Sequence, residues 1–186
     1  MTQHTIFNIP LDGELPEDTE RLVIGMGCFW GAERCFWKLA GVYRTAVGFA
    51  GGTTDDPNYT TVSQGKTGHA EVVEVIYKPQ QLSTLELLKS FWENHDPTQG
   101  MQQGNDQGSQ YRSMIVCFTE QQFNQATESK QIYQQQLAKD GHNSITTEIL
   151  MDKTFHLAEE DHQQYLDKNP QGYCGLGGTG TCFIGA

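Results

Sequence analysis

Arg21-Leu22-Val23-Ile24-Gly25-Met26-Gly27-Cys28-Phe29-Trp30-Gly31-Ala32-Glu33-Arg34-Cys35-Phe36-Trp37-Lys38-Leu39-Ala40-Gly41 is the stretch from which the fold is read. Leu22-Val23-Ile24 is a short apolar run that ends in Gly25. After it, the spacing of Trp30, Cys35, Phe36 and Leu39 predicts a helix with those side chains on one face, stopped at Gly41. A strand therefore feeds a helix, with Cys28 at the junction.

Downstream, residues 42–49 read as a second strand, residues 51–58 as a loop and residues 70–77 as a third strand closed by Pro79. Ser83 followed by Glu86 is a capping box, and Leu85, Leu87, Leu88, Phe91 and Trp92 supply the buried stripe of a second helix. Residues 100–110 form a polar, glycine-containing loop before the apolar strand at residues 114–118. Thr119 with Gln122 opens a long polar helix that Gly141 ends. A further strand is expected at residues 145–150, a short helix at residues 159–166, and glycine-rich, partly mobile coil at residues 172–186. Up to Phe118 the order is β-α-β-β-α-β, that of a ferredoxin-like two-layer α/β sandwich.

Upstream, residues 1–20 place Pro10, Gly13 and Pro16 among acidic and polar residues and read as an extended arm. The 186 residues show no composition break and no internal repeat, so residues 21–186 are expected to form a single domain. Lysine and arginine number 12 against 23 aspartates and glutamates, a net charge of −11, the wrong sign for neutralising phosphates. Nucleic acid is therefore not an expected partner. Neither a signal h-region nor an apolar run of spanning length is found, so a cytoplasmic protein without a membrane partner is expected. In that compartment the five cysteines are expected to be reactive or buried thiols, not structural disulfides.

Cys28, lying between a strand and a helix start, meets unpaired backbone N–H groups and the positive end of a helix dipole. A thiolate is expected there, since such positions lower a thiol pKa by several units; a buried structural cysteine is the alternative on position alone. Phe29 and Trp30 set aromatic surface beside the sulfur, suited to an apolar group such as a methyl or simply to the core. Gly27 and Gly31 permit close backbone approach. Cys35 and Cys117 read as buried packing residues. Cys174 and Cys182, separated by a glycine-rich segment, could hold a metal or follow one another in thiol exchange. Zinc is disfavoured because neither a C-x-x-C pair nor a paired histidine motif accompanies them. No phosphate loop, G-x-S-x-G elbow or H-E-x-x-H helix is present. His142, His156 and His162 scatter along the sequence; His162 could reach the pocket rim but is not expected to contact a ligand.

Gly27-Cys28-Phe29-Trp30-Gly31 resembles the signature of the A-type peptide methionine sulfoxide reductases. The resemblance continues through Gly41-Val42, residues 45–52, Pro57-Asn58-Tyr59, His69-Ala70-Glu71, residues 104–113 and Gly172-Tyr173-Cys174-Gly175. It covers the chain from about Arg21 onward and leaves only the arm outside.

The resemblance implies a catalytic domain in which Cys28 attacks the sulfoxide sulfur, Glu71 supplies a proton, and the Tyr59 and Tyr111 hydroxyls hold the oxygen. It further implies a methyl pocket of Phe29 and Trp30, a substrate contact at Asp106, and Cys174 and Cys182 as successive resolving thiols on the tail. A sulfenic acid on Cys28 would condense with Cys174 to a disulfide. Methionine S-sulfoxide, free or in proteins, is the implied substrate and a thioredoxin-like dithiol the implied reductant, with no cofactor or metal and a monomeric enzyme. A thiol peroxidase uses the same sulfur chemistry, and a non-catalytic module reading oxidised methionine would use the same aromatic pocket. Peroxide consumption separates the first from the expected enzyme, and indifference to Cys28→Ser separates the second.

Overall fold

The structure, a computed structural model, describes residues 2–185; Met1 and Ala186, the ends of the expected arm and tail, lie outside the described residues. The chain runs β1 (Glu20–Gly25), α1 (Phe29–Trp37), β2 (Val42–Ala50), α2 (Tyr59–Ser63), β3 (Ala70–Tyr77) and α3 (Thr84–Glu93). A two-residue hairpin of β4 (Gln102–Gln103) and β5 (Asp106–Gln107) and a 3-10 turn at Ser109–Tyr111 lead into β6 (Met114–Cys117). Then follow α4 (Glu120–Lys139), β7 (Glu148–Met151), β8 (His156–Leu157), a 3-10 turn at Glu160–His162 and α5 (Tyr165–Lys168).

The main sheet has the order β7-β6-β1-β3-β2-β8. Its four central strands, β6-β1-β3-β2, are antiparallel throughout, as the ferredoxin-like order requires. β7 extends the sheet parallel to β6, and β8 pairs antiparallel with Gly48 and Phe49 of β2. Alternation along β1 sends Leu22 and Ile24 into the main core with α1, α3 and α4, while Val23 joins a smaller cluster on the opposite face. The two-layer expectation is met.

Local signals explain the helix starts. The Ser83 hydroxyl accepts from the Glu86 N–H (3.1 Å), and the Glu86 carboxylate accepts from the Ser83 N–H (3.4 Å). Thr119 accepts from the Gln122 N–H at the head of α4, and Gly141, at φ +82°, follows that helix's end.

Three expectations need correction. The strand expected over residues 145–150 begins at Glu148, because Gln134 Oε1 takes the Ile145 N–H (2.7 Å) and the Pro97 carbonyl takes that of Thr146 (2.8 Å). The short helix at residues 159–166 is instead a 3-10 turn and α5, parted by Gln164 in the left-handed region at φ +47°. The face of α1 is also rotated: Phe29, Ala32, Glu33 and Phe36 are buried, while Trp30, Cys35 and Leu39 are only partly so.

Candidate active site

Antiparallel pairing gathers the site at one end of the sheet. The C-terminal end of β1 meets the N-terminal ends of β3 and β6, with Gly25 paired to Met114 and Ile24 to Val73. β2 ends beside them, Phe49 facing Glu71 in register. The segments leaving or entering these four strand ends therefore carry Cys28, Tyr59, Asp106 and Tyr111 toward Glu71 at the start of β3.

Cys28 caps the N-terminus of α1 and is partly exposed. Gly27 before it sits at φ +101°, and a Cβ there would lie 2.7 Å from the Gln103 side chain, so this turn is open only to glycine. The N–H groups of Trp30 and Gly31 face the sulfur and pull its pKa down. Burial and then the Glu71 charge win over them, pushing the Cys28 thiol up to about 12. The thiolate expected from the helix dipole alone is thus corrected to a protonated resting thiol.

Glu71 is 2 % exposed, and one oxygen accepts the Phe29 N–H (3.1 Å). Burial pushes its carboxyl up to about 8, the Phe29 N–H opposing and the Asp106 charge adding to the shift. At neutral pH it is mainly the neutral acid. The Tyr59 and Tyr111 hydroxyls are both raised by burial first and by the Glu71 charge next, and the Tyr59 ring stacks 6.3 Å from that of Phe29. Arg112 holds the Tyr111 turn by donating to the Ser109 carbonyl (2.9 Å), the Gly68 carbonyl (2.8 Å) and the Glu148 carboxylate (2.6 Å). Asp106 accepts from the Tyr173 hydroxyl (3.1 Å), joining the β4-β5 hairpin to the tail.

Phe29 is fully buried against Phe49, Tyr59 and His162. Trp30 lies nearer the surface, stacked on Tyr165 at 3.9 Å. Its indole donates to His162 Nδ1 (3.2 Å), so the neutral histidine carries its proton on Nε2. Cys174 is brought to the first turn of α1: its sulfur lies 2.8 Å from where a Cβ on Gly31 would sit. Cys182 is not brought there; it is exposed and lines a separate surface cavity with Leu85 and Lys89. Among the described residues no cluster of three or more His, Cys, Asp or Glu side chains could hold a metal ion.

The family model described as peptide methionine sulfoxide reductase matches residues 20–179. The chain belongs to the peptide methionine sulfoxide reductase family. It is 60% identical over 171 residues to the human mitochondrial peptide methionine sulfoxide reductase, covering 91% of this chain and 73% of that protein. The solved methionine sulfoxide reductase A of Corynebacterium diphtheriae superposes with a TM-score of 0.88 at 44% identity, over 100% of this chain and 90% of the other. Mxr1 from Saccharomyces cerevisiae, solved in complex with Trx2, matches with a TM-score of 0.57 at 25% identity, covering 83% and 90% of the two chains. Sequence and fold place this reductase with the A-type members.

Several reductase-site residues carried no clear signal in the sequence. His162 stacks on Tyr59 (4.3 Å) and accepts from Trp30, yet in sequence it is one of three scattered downstream histidines. Glu159 accepts the Tyr59 N–H (3.2 Å) from 100 residues away. Tyr173 was discoverable only as the neighbour of Cys174 in the Gly172-Tyr173-Cys174-Gly175 match.

Proposed function

We propose that this chain reduces the S epimer of methionine sulfoxide, free or in proteins, through a thiol, sulfenic acid and disulfide relay. The observation that carries the reading is Glu71, a buried carboxyl held mainly neutral at pH 7 with Cys28 and two tyrosine hydroxyls around it. The sulfoxide oxygen gains negative charge as sulfur is attacked, and a neutral acid flanked by hydroxyl donors meets that need. Trp30, with Phe29 behind it, offers the apolar wall for the methyl group, and Asp106 a polar contact at the rim.

Cys28 sulfur attacks the sulfoxide sulfur while Glu71 gives its proton to the oxygen and takes up the thiol proton; the new sulfur–sulfur bond and the methionine S–O bond then break as the hydroxyl passes to the Cys28 sulfur. The products are methionine and Cys28 sulfenic acid. Condensation with the Cys174 thiol forms the Cys28–Cys174 disulfide and releases water. Cys182 then exchanges with Cys174, and a thioredoxin-like dithiol reduces the tail disulfide. The complex of Mxr1 with Trx2 supports that reductant. Five thiols suit a reducing compartment such as the cytosol. Among the described residues, no helix is long and apolar enough to cross a membrane.

The decisive experiment offers each epimer of a methionine sulfoxide peptide with dithiothreitol to the wild type and to Cys28→Ser. Turnover of the S epimer by the wild type and none by Cys28→Ser is expected, since a hydroxyl lacks the nucleophilicity. Rapid peroxide consumption without sulfoxide turnover would replace this enzyme with a thiol peroxidase.

A further inference from the structure

Cys35 stands on α1 one turn beyond Gly31, on the same side of the helix. A Cβ at Gly31 would lie 2.8 Å from the Cys174 sulfur and 3.9 Å from its Cβ. Side chains four apart on a helix have Cβ atoms about 5–6 Å apart, so Cys35 is the next side chain along from that sulfur. Both cysteines line one open cavity of about 380 Å³, together with Ser90 of α3 and Leu39. The Cys35 sulfur lies 3.5 Å from the Ser90 hydroxyl. Burial raises the Cys35 thiol while Ser90 and Lys38 pull it back.

Cys182 is differently placed. The chain around it is fastened to α3 and α4: Tyr133 donates to the Thr181 carbonyl (2.9 Å), Thr181 to Asp140 (2.6 Å) and the Phe183 N–H to Glu93 (3.2 Å). The Phe183 ring is buried in the main core. Those contacts hold Cys182 beside α3 and α4, in a different cavity from Cys174, whereas Cys35 shares the cavity of Cys174.

We infer that Cys35 is a further relay thiol, which takes the disulfide from Cys28–Cys174 to form Cys35–Cys174. In this exchange the Cys35 sulfur attacks Cys174, the Cys35–Cys174 bond forms and the Cys28–Cys174 bond breaks. Cys28 leaves as thiolate and takes up the proton that Cys35 released; no net oxidation occurs. The same dithiol that reduces the tail disulfide then reduces Cys35–Cys174. The step rests on the relay proposed above, with Cys35 acting beside Cys182.

The test uses no reductant. Excess methionine S-sulfoxide is added, methionine released per chain is counted, and the protein is alkylated for disulfide mapping. Freeing Cys28 allows a second attack, so the wild type and Cys182→Ser should each release about two methionines, and Cys182→Ser should yield linked Cys35–Cys174 peptides. Cys35→Ser/Cys182→Ser should release about one and retain Cys28–Cys174. Should Cys182→Ser stop at about one methionine, with Cys28–Cys174 linked and Cys35 alkylated, Cys35 has no part and the relay stands. A wild type that releases none removes the relay and this step together. The deciding variant alters an exposed residue and leaves Cys35 in place, so it does not depend on the packing around Cys35.

Discussion

Glu71 is the residue whose charge state sets the pH profile. With its carboxyl pushed up to about 8, the acid is present below that pH and lost as pH rises through it. The rate of the first oxygen transfer is therefore expected to fall above about pH 8. Glu71→Gln keeps an oxygen to accept the Phe29 N–H but has no proton to give, so the step should slow by roughly 10²–10⁴-fold and lose this alkaline limb. Single-turnover methionine release measured across pH checks both, and a rate unchanged by the substitution removes Glu71 from the chemistry. The position of Cys28 was legible from Gly27 and the strand-to-helix turn. Its charge was not, because the helix dipole is a local signal, whereas burial and Glu71 arrive from β3 and the loops.

α1 shows what an element reveals and what it hides. Its existence followed from the spacing of apolar residues, but Glu33 faces the core in a place where an apolar residue was expected, which rotated the inferred stripe onto Trp30, Cys35 and Leu39. A buried carboxyl group with distant partners leaves no periodic mark. β3 is legible over its full length because Val72, Val73, Val75 and Ile76 form a β-branched segment bounded by Gly68 and Pro79. α2 and β8 escaped notice: five and two residues are too few for periodicity, and β8 exists through its pairing with β2. The tight first turn of α1 makes a prediction of its own. Gly31→Ala favours the helix by up to about 1 kcal/mol, yet its methyl would lie 2.8 Å from the Cys174 sulfur and displace it. Methionine release in a single turnover should persist while formation of the Cys28–Cys174 disulfide slows. Equal rates of disulfide formation in both proteins, followed by rapid alkylation, would contradict this placement of Cys174. Ser83→Ala, which removes one half of the α3 capping box, should cost about 1 kcal/mol in urea unfolding without touching the chemistry.

Across the whole molecule, the arm is tied to the site through Glu33. His4, fully buried, bonds to the Thr45 hydroxyl (2.8 Å), which donates to Glu33 (2.9 Å). Glu33 also accepts from the Gln164 N–H (2.9 Å) and side-chain amide (2.7 Å), holding that residue in its left-handed conformation two positions from His162. Composition alone marked residues 1–20 as an arm, since one buried histidine among acidic and polar neighbours is invisible without its partners. Burial holds the Glu33 carboxyl up to about 7 against an ordinary 4.5, even though three hydrogen-bond donors oppose it. The folded chain thus keeps this proton more tightly than the unfolded chain between pH 4.5 and about 7, and stability drains away as pH rises through that window. Glu33→Gln loses a fixed amount from its altered hydrogen bonds but has no proton to lose. The stability difference between the two proteins should therefore drift with pH, the wild type losing up to about 1.4 kcal/mol per pH unit relative to the variant within the window. Urea unfolding at a series of pH values measures it. A difference that stays constant from pH 4.5 to 7 would mean that Glu33 is ionised throughout, with His4, Thr45 and Gln164 serving as the partners of a buried carboxylate.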